Sequence, residues 1–119
     1  MEGILYEAKS ESEKECLGMS EIPTITTQEV QEKLENGEPL YIIDVREDFE
    51  VANGMIPGAV HMPMNTVPDH LGTFADNIPY IIVCAAGVRS EQVAAYLGAN
   101  RIEAYSMEGG MYAWAGDVE

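Results

Sequence analysis

Two segments of this chain are apolar almost without interruption. Leu40-Tyr41-Ile42-Ile43-Asp44-Val45 and Tyr80-Ile81-Ile82-Val83-Cys84 show no regular alternation of polar and apolar positions. A strand with one wet face alternates, so runs of this kind predict strands covered on both faces, as in a parallel sheet. Elsewhere the period is helical. Val30 and Leu34 share a helix face, behind an N-cap at Thr26 or Thr27, with Glu29 in the first turn and Asn36-Gly37 as the stop. Ser90 to Leu97 forms a second helix, with Val93, Ala94 and Leu97 on one face. Shorter elements fill the gaps. They are a β-rich segment at Ile22 to Thr26, an acidic helix from Arg46 to Ala52 closed by Asn53-Gly54, and a brief strand at Val60-His61-Met62. Next come one loose helical turn around Pro68 and Leu71, a last strand from Ile102 to Ser106 and a short helix from Gly109-Gly110 through Trp114.

Strands alternating with helices at this spacing predict an α/β fold, a mostly parallel sheet with helices on both faces. Residues 1–21 differ in composition, with Glu, Lys and Ser around a few apolar positions, and read as a tail that is flexible or helical. Ile4, Leu5 and Tyr6 are the tail residues able to dock. Residues 22–119 form the domain proper. With 119 residues and 46% apolar side chains, the chain has the size and the core of one domain.

Charge narrows the function more than size does. The net charge is −15, and six basic residues cannot neutralise a row of phosphates, which disfavours nucleic acid. An acidic membrane surface would repel the chain as well. No stretch approaches the roughly 18 to 20 apolar residues of a membrane span, and the acidic N-terminus suits neither a signal peptide nor an anchor. A cytoplasmic protein is expected. The same field slows small anions and attracts a protein with a basic face.

Two cysteines, Cys16 and Cys84, without a CxxC pair, make neither a disulfide framework nor a zinc site. His61 and His70 have no Cys or second His at ligand spacing and read as packing or surface residues. No metal or cofactor is expected. Cys16, in the tail, reads as an incidental thiol, with a secondary role in resolving a modified Cys84.

In open α/β sheets the ligand site lies beyond the carboxyl ends of the strands. That rule selects the segments after Val45 and after Val83, and the second of them begins with a cysteine. Cys84-Ala85-Ala86-Gly87-Val88-Arg89-Ser90 joins a buried strand to a helix. A chain turning there points backbone N–H groups inward, and the helix adds the positive end of its dipole. Gly87 permits the tight turn, and Arg89 places a fixed charge near the ring or braces it. Such a cradle stabilises a thiolate, the nucleophilic form of cysteine, rather than a core filler.

Four segments in order carry a resemblance. They are Ile43-Asp44-Val45-Arg46-Glu47, Gly54-Met55-Ile56-Pro57-Gly58-Ala59, Cys84-x-x-Gly87-x-Arg89-Ser90 and Gly109-Gly110-x-x-Ala113-Trp114. From about Ile22 to Trp114 the chain resembles the rhodanese homology domain. The resemblance implies a five-stranded parallel sheet flanked by helices. It implies a six-residue active loop, Cys84 to Arg89, with Cys84 as the persulfide carrier. It also implies that Asp44 and Arg46 brace the site, and that sulfur passes from a small donor or a protein persulfide to a thiol acceptor. Two positions depart from the family pattern. Met55 stands where the family often has His, and Ala85 stands where many thiosulfate-using members carry Arg or Lys. Arg89 is therefore the loop's only cation, which counts against thiosulfate as donor.

Other readings remain open on the residues alone. Asp44 is a general base or, more simply, a partner for Arg46. Glu47, Asp48 and Glu50 read as a solvated acidic face at a helix start. Met55, Met62, Met64, Met107 and Met111 fill core gaps or form an apolar rim for a partner protein. Trp114 reads as a packing anchor, and Gly109 and Gly110 as points where the last helix approaches the sheet. A phosphatase or arsenate reductase needs five residues between Cys and Arg, and here there are four, Ala85 to Val88. A non-catalytic module on the same fold is the remaining alternative.

Overall fold

A computed structural model describes residues 22–119. The expectations for the tail, for docking by Ile4, Leu5 and Tyr6, and for Cys16 lie outside the described residues. Five strands form one sheet: β1 (Thr24–Ile25), β2 (Tyr41–Asp44), β3 (Val60–His61), β4 (Tyr80–Val83) and β5 (Ala104–Met107). Their order is β1-β5-β4-β2-β3, and every pairing is parallel. The helices are α1 (Thr27–Glu35), α2 (Asp48–Val51), α3 (Val88–Ala99) and α4 (Gly110–Ala113), with a 3-10 helix at Met64–Thr73.

The uninterrupted apolar runs are the two central strands, and they feed two cores. Successive side chains point to opposite faces. Ile43, Val45, Tyr80, Ile82 and Cys84 join Val93, Ala94 and Leu97 of α3, with Val67 of the 3-10 helix. Ile42, Ile81, Val83 and Met107 join Val30 of α1 on the other face, with Trp114 and Met111 packed against them. Ile82 and Leu97 are fully buried. The sheet is thus filled from both sides, as the lack of alternation requires.

Element boundaries moved for identifiable reasons. Thr26, not Thr27, caps α1: its Oγ1 accepts the Glu29 N–H at 3.0 Å while Glu29 Oε1 accepts the Thr26 N–H at 2.9 Å. Helix α2 is shorter than the expected Arg46-to-Ala52 span, because the Arg46 N–H is held by Asp44 Oδ1 at 3.1 Å and stays outside the helix. The loose turn near Pro68 is instead a ten-residue 3-10 helix. Val67 is its buried anchor, and Met64 and Leu71 pack against the same core.

The last helix fixes the position of the loop after β4. The N–H of Met111 donates to the Cys84 carbonyl at 2.8 Å and that of Tyr112 to the Ala85 carbonyl at 2.9 Å. Gly110 precedes both with φ +59°, and a Cβ there would run into the Cys84 oxygen and lie 2.5 Å from the Ala85 oxygen. We expect Gly110→Ala to lower the unfolding free energy by about 2 kcal/mol or more, since both the left-handed backbone and the clash count. Urea titration measures it. A loss below about 1 kcal/mol would mean the loop yields to the methyl group.

Candidate active site

The strand ends converge as the fold requires. Asp44 of β2 pairs in register with Val83 of β4, and the Val45 N–H donates to the Val83 carbonyl at 2.9 Å. Cys84 is the next residue, 1% exposed, where the chain leaves the sheet.

Its sulfur is surrounded by donors. Sγ accepts the Gly87 N–H at 3.0 Å and the Ser90 N–H at 3.3 Å. Ser90 lies in the first turn of α3, where backbone N–H groups have no partner within the helix. The cysteine sulfur therefore acts as a cap for α3 and meets the positive end of its dipole. Gly87 makes this possible with φ +101°. A methyl group at Gly87 would also sit 3.2 Å from the Gly109 nitrogen, so loop and last turn meet here backbone to backbone.

Behind the sulfur lies a buried hydroxyl pair. Ser90 Oγ is 3.5 Å from Sγ, donates to the Gly87 carbonyl at 3.1 Å, and lies 2.7 Å from Ser106 Oγ. With the Ser90 proton on Gly87, Ser106 is the donor to Ser90. Both serines are buried. Ser106, on β5 opposite Ile82, was not singled out by the sequence, because a lone Ser in a strand carries no signal until the register is known.

Asp44 and Arg46 form a buried pair, the simpler of the two sequence readings. Arg46 Nε reaches Asp44 Oδ1 at 2.9 Å and Nη2 reaches Oδ2 at 2.8 Å. Nη2 also donates to the Gly54 carbonyl at 2.9 Å, and the Arg46 carbonyl accepts from His61 Nε2 at 2.7 Å. This network ties the strand end to the turn at Gly54. None of its hydrogen bonds reaches the sulfur.

Arg89 settles on the bracing alternative, and its partner corrects the sequence reading. Nη1 and Nη2 donate to Oε1 and Oε2 of Glu50, each at 2.8 Å. Glu50 Oε1 also accepts the Glu47 N–H at 2.8 Å. Glu50 is thus a half-buried ion-pair partner rather than part of a solvated face, while Glu47 and Asp48 are exposed. Nothing local in the sequence marks this pair, because its partners lie 39 positions apart.

The remaining loop residues divide by exposure. Ala85 is buried, Ala86 is exposed and Val88 is 63% exposed. A cavity of ≈ 340 Å³ opens beside Ala85, lined also by Arg46, Glu50, Met111, Tyr112 and Val118. Among the methionines, Met107 and Met62 are buried core, and Met55, Met64 and Met111 are partly buried. Trp114 packs on the α1 side and donates Nε1–H to the Asp117 carbonyl at 3.0 Å. Among the described residues, no group of three or more His, Cys, Asp or Glu is placed to hold a metal ion. None of the described helices is long and apolar enough to cross a membrane.

The Glu50–Arg89 pair makes an acid-stability prediction. The Arg89 guanidinium, bonded to both oxygens, holds the Glu50 carboxyl down to about 2 from an ordinary 4.5, against the opposing effect of burial. A depressed carboxylate contributes stability that is fully present above its unfolded value and is lost as pH falls through the folded one. The stability difference between wild type and Glu50→Gln should therefore be largest above about pH 5 and shrink as pH falls toward about 2. Urea titrations across that range measure it, and a gap independent of pH would show that the charge adds nothing. With side chains 30% and 20% exposed, the pair should also weaken in salt.

Known proteins share this fold. Residues 26–117 match the family model of the rhodanese-like domain. The chain is 44% identical over 99 residues to "Putative sulfurtransferase YtwF" of Bacillus subtilis, covering 83% of this chain and 96% of that one. It is 37% identical over 98 residues to "Thiosulfate sulfurtransferase GlpE" of Ectopseudomonas mendocina, covering 81% and 87%. The crystal structure of a rhodanese-like domain protein from Staphylococcus aureus superposes with a TM-score of 0.78 at 49% identity, covering 82% of this chain and 97% of that one. The loop that wraps a strand-end cysteine in backbone N–H groups therefore sits on a fold shared along nearly the whole described length, and the chain belongs to the rhodanese-like domain family.

Proposed function

We propose that this protein is a sulfurtransferase that carries sulfane sulfur as a persulfide on Cys84. One observation carries the reading: the Cys84 sulfur accepts two backbone N–H groups at the start of α3. Donors so placed stabilise negative charge on sulfur without adding a competing nucleophile.

The chemistry has two displacements. The Cys84 thiolate attacks the outer sulfur of a donor, the donor's S–S bond breaks, and the leaving group departs with the electron pair. An acceptor thiolate, or cyanide, then attacks the outer sulfur of the persulfide. Cys84 leaves as a thiolate, in the same cradle that held it before. Each step is a transfer of sulfur between nucleophiles, and the covalent intermediate separates donor from acceptor in time.

The names of related sulfurtransferases support this reading at the level of the family. The phosphatase alternative loses ground on geometry. Oxyanion chemistry needs the loop arginine turned toward the substrate, and here Arg89 is bonded to Glu50.

Intact mass after incubation with thiosulfate, and separately with a persulfide donor, tests the proposal. Wild type should gain one sulfur, lost again on reduction. Cys84→Ser should gain none while keeping the wild-type circular dichroism spectrum. Transfer by Cys84→Ser at the wild-type rate would refute the assignment.

The donor preference rests on charge. Ala85 places no cation beside Cys84, and the net charge of −15 repels anions. We expect weak thiosulfate:cyanide activity with a high KM, and better transfer from a thiol-bound persulfide. Ala85→Arg should lower the thiosulfate KM about five- to thirtyfold, the scale of one charge added beside the dianion. Added salt should lower it in wild type by screening. Steady-state curves at two ionic strengths measure both effects. Saturation of wild type at low micromolar thiosulfate, with no change in Ala85→Arg, would remove the electrostatic argument.

A further inference from the structure

Every guanidinium near Cys84 is already bonded to a carboxylate. Arg46 gives Nε and Nη2 to Asp44. Arg89 gives both Nη groups to Glu50, 39 positions away in the chain. Glu50 is in turn held by the Glu47 N–H, so the carboxylate is fixed before it meets the arginine. A brace between α2 and the loop needs only hydrogen bonds. A bidentate ion pair also cancels the field of the cation it holds.

That field bears on which donor the loop accepts. Attack of the Cys84 thiolate on thiosulfate brings three negative charges together: the S–S bond breaks, sulfite leaves as a dianion, and the persulfide keeps the third charge. Attack on an anionic thiol persulfide brings two, and leaves a persulfide and a thiolate. The first reaction gains more from a free cation at the loop.

Resting on the sulfurtransferase reading, we propose that Glu50 is a specificity-determining residue: it withholds Arg89 from dianionic donors and tilts Cys84 toward sulfur carried on a thiol. Glu50 acts through Arg89, as a positioning residue, and touches no reacting atom. The cavity beside Ala85 has Glu50 in its wall, so an anion entering it meets that carboxylate. The low proton affinity of Glu50 keeps this arrangement charged throughout the neutral range.

The test uses the full chain in three forms: wild type, Glu50→Gln and Glu50→Gln/Arg89→Met. Gln keeps the shape and one of the two hydrogen bonds to Arg89, and removes the charge together with the second acceptor. Two readouts separate the inference from the reading beneath it. The first is alkylation of Cys84 by iodoacetate, an anion, relative to iodoacetamide, a neutral reagent of similar size, followed by peptide mass. The second is steady-state transfer from thiosulfate and from cysteine persulfide.

Glu50→Gln should raise the iodoacetate-to-iodoacetamide ratio about fivefold, the expected scale for unmasking one nearby charge. It should lower the thiosulfate KM by a similar factor, with no matching gain for cysteine persulfide. The double variant should return both values toward wild type, because the gain requires the arginine. An unchanged alkylation ratio in Glu50→Gln overturns the masking. Equal losses for both donors, at unchanged KM, would make Glu50 a structural brace and nothing more. If the ratio rises but no donor loads sulfur on any form, it is the sulfurtransferase reading that fails, and donor selection falls with it.

Discussion

The active-site loop depends on where two carbonyl groups point. Met111 and Tyr112 draw the carbonyl oxygens of Cys84 and Ala85 toward the last helix. With those carbonyls held on that side, the loop turns back so that the N–H groups of Gly87 and Ser90 face the sulfur. A buried peptide group must find partners for both of its ends. The last helix, with its first N–H groups unpaired, is the partner available to the carbonyls, and Gly110 is the residue small enough to let it approach. The sulfur's hydrogen bonds are thus set by a segment that makes none to it.

Electrostatics forms a second layer over this backbone frame. A chain of net charge −15 has few cations, and those at the site are held in pairs. The Asp44–Arg46 pair is buried and linked to the carbonyls of Gly54 and Glu50, although the latter contact is long at 3.4 Å. Such a pair contributes little net stability against the cost of removing two charges from water, and its value here lies in fixing geometry. The Glu50–Arg89 pair is more exposed and joins α2 to the start of α3. Together the pairs leave backbone N–H groups, rather than side-chain cations, as the charge-stabilising elements against the sulfur.

The central sheet was legible because burial on both faces leaves β2 and β4 almost without polar positions, over runs too short for a buried helix. The cysteine loop was legible because Gly87 and Arg89 come after a strand end at fixed spacing. The resemblance to the family then supplied the strand count and the six-residue loop. The contacts that escaped the sequence have a common cause. Glu50 meets Arg89 across 39 residues, and Ser106 meets Ser90 across 16. Neither contact has a local pattern, and Glu50 sits among acidic neighbours that do face water. Boundaries shifted for the same reason at smaller scale. Arg46 left α2 because its own backbone and side chain were both engaged by Asp44.

The strand order has a consequence for the thiol during synthesis. Cys84 follows β4, but β5 lies beside that strand and is made afterwards, and Met111 and Tyr112 come later still. Chains grow at about 5 to 20 residues per second, so the groups that enclose Cys84 are made seconds after it. In that interval the thiol has no cap, no hydroxyl pair behind it and no covering strand. Enclosure of the thiol is therefore among the last events of folding, complete only when the last helix has docked.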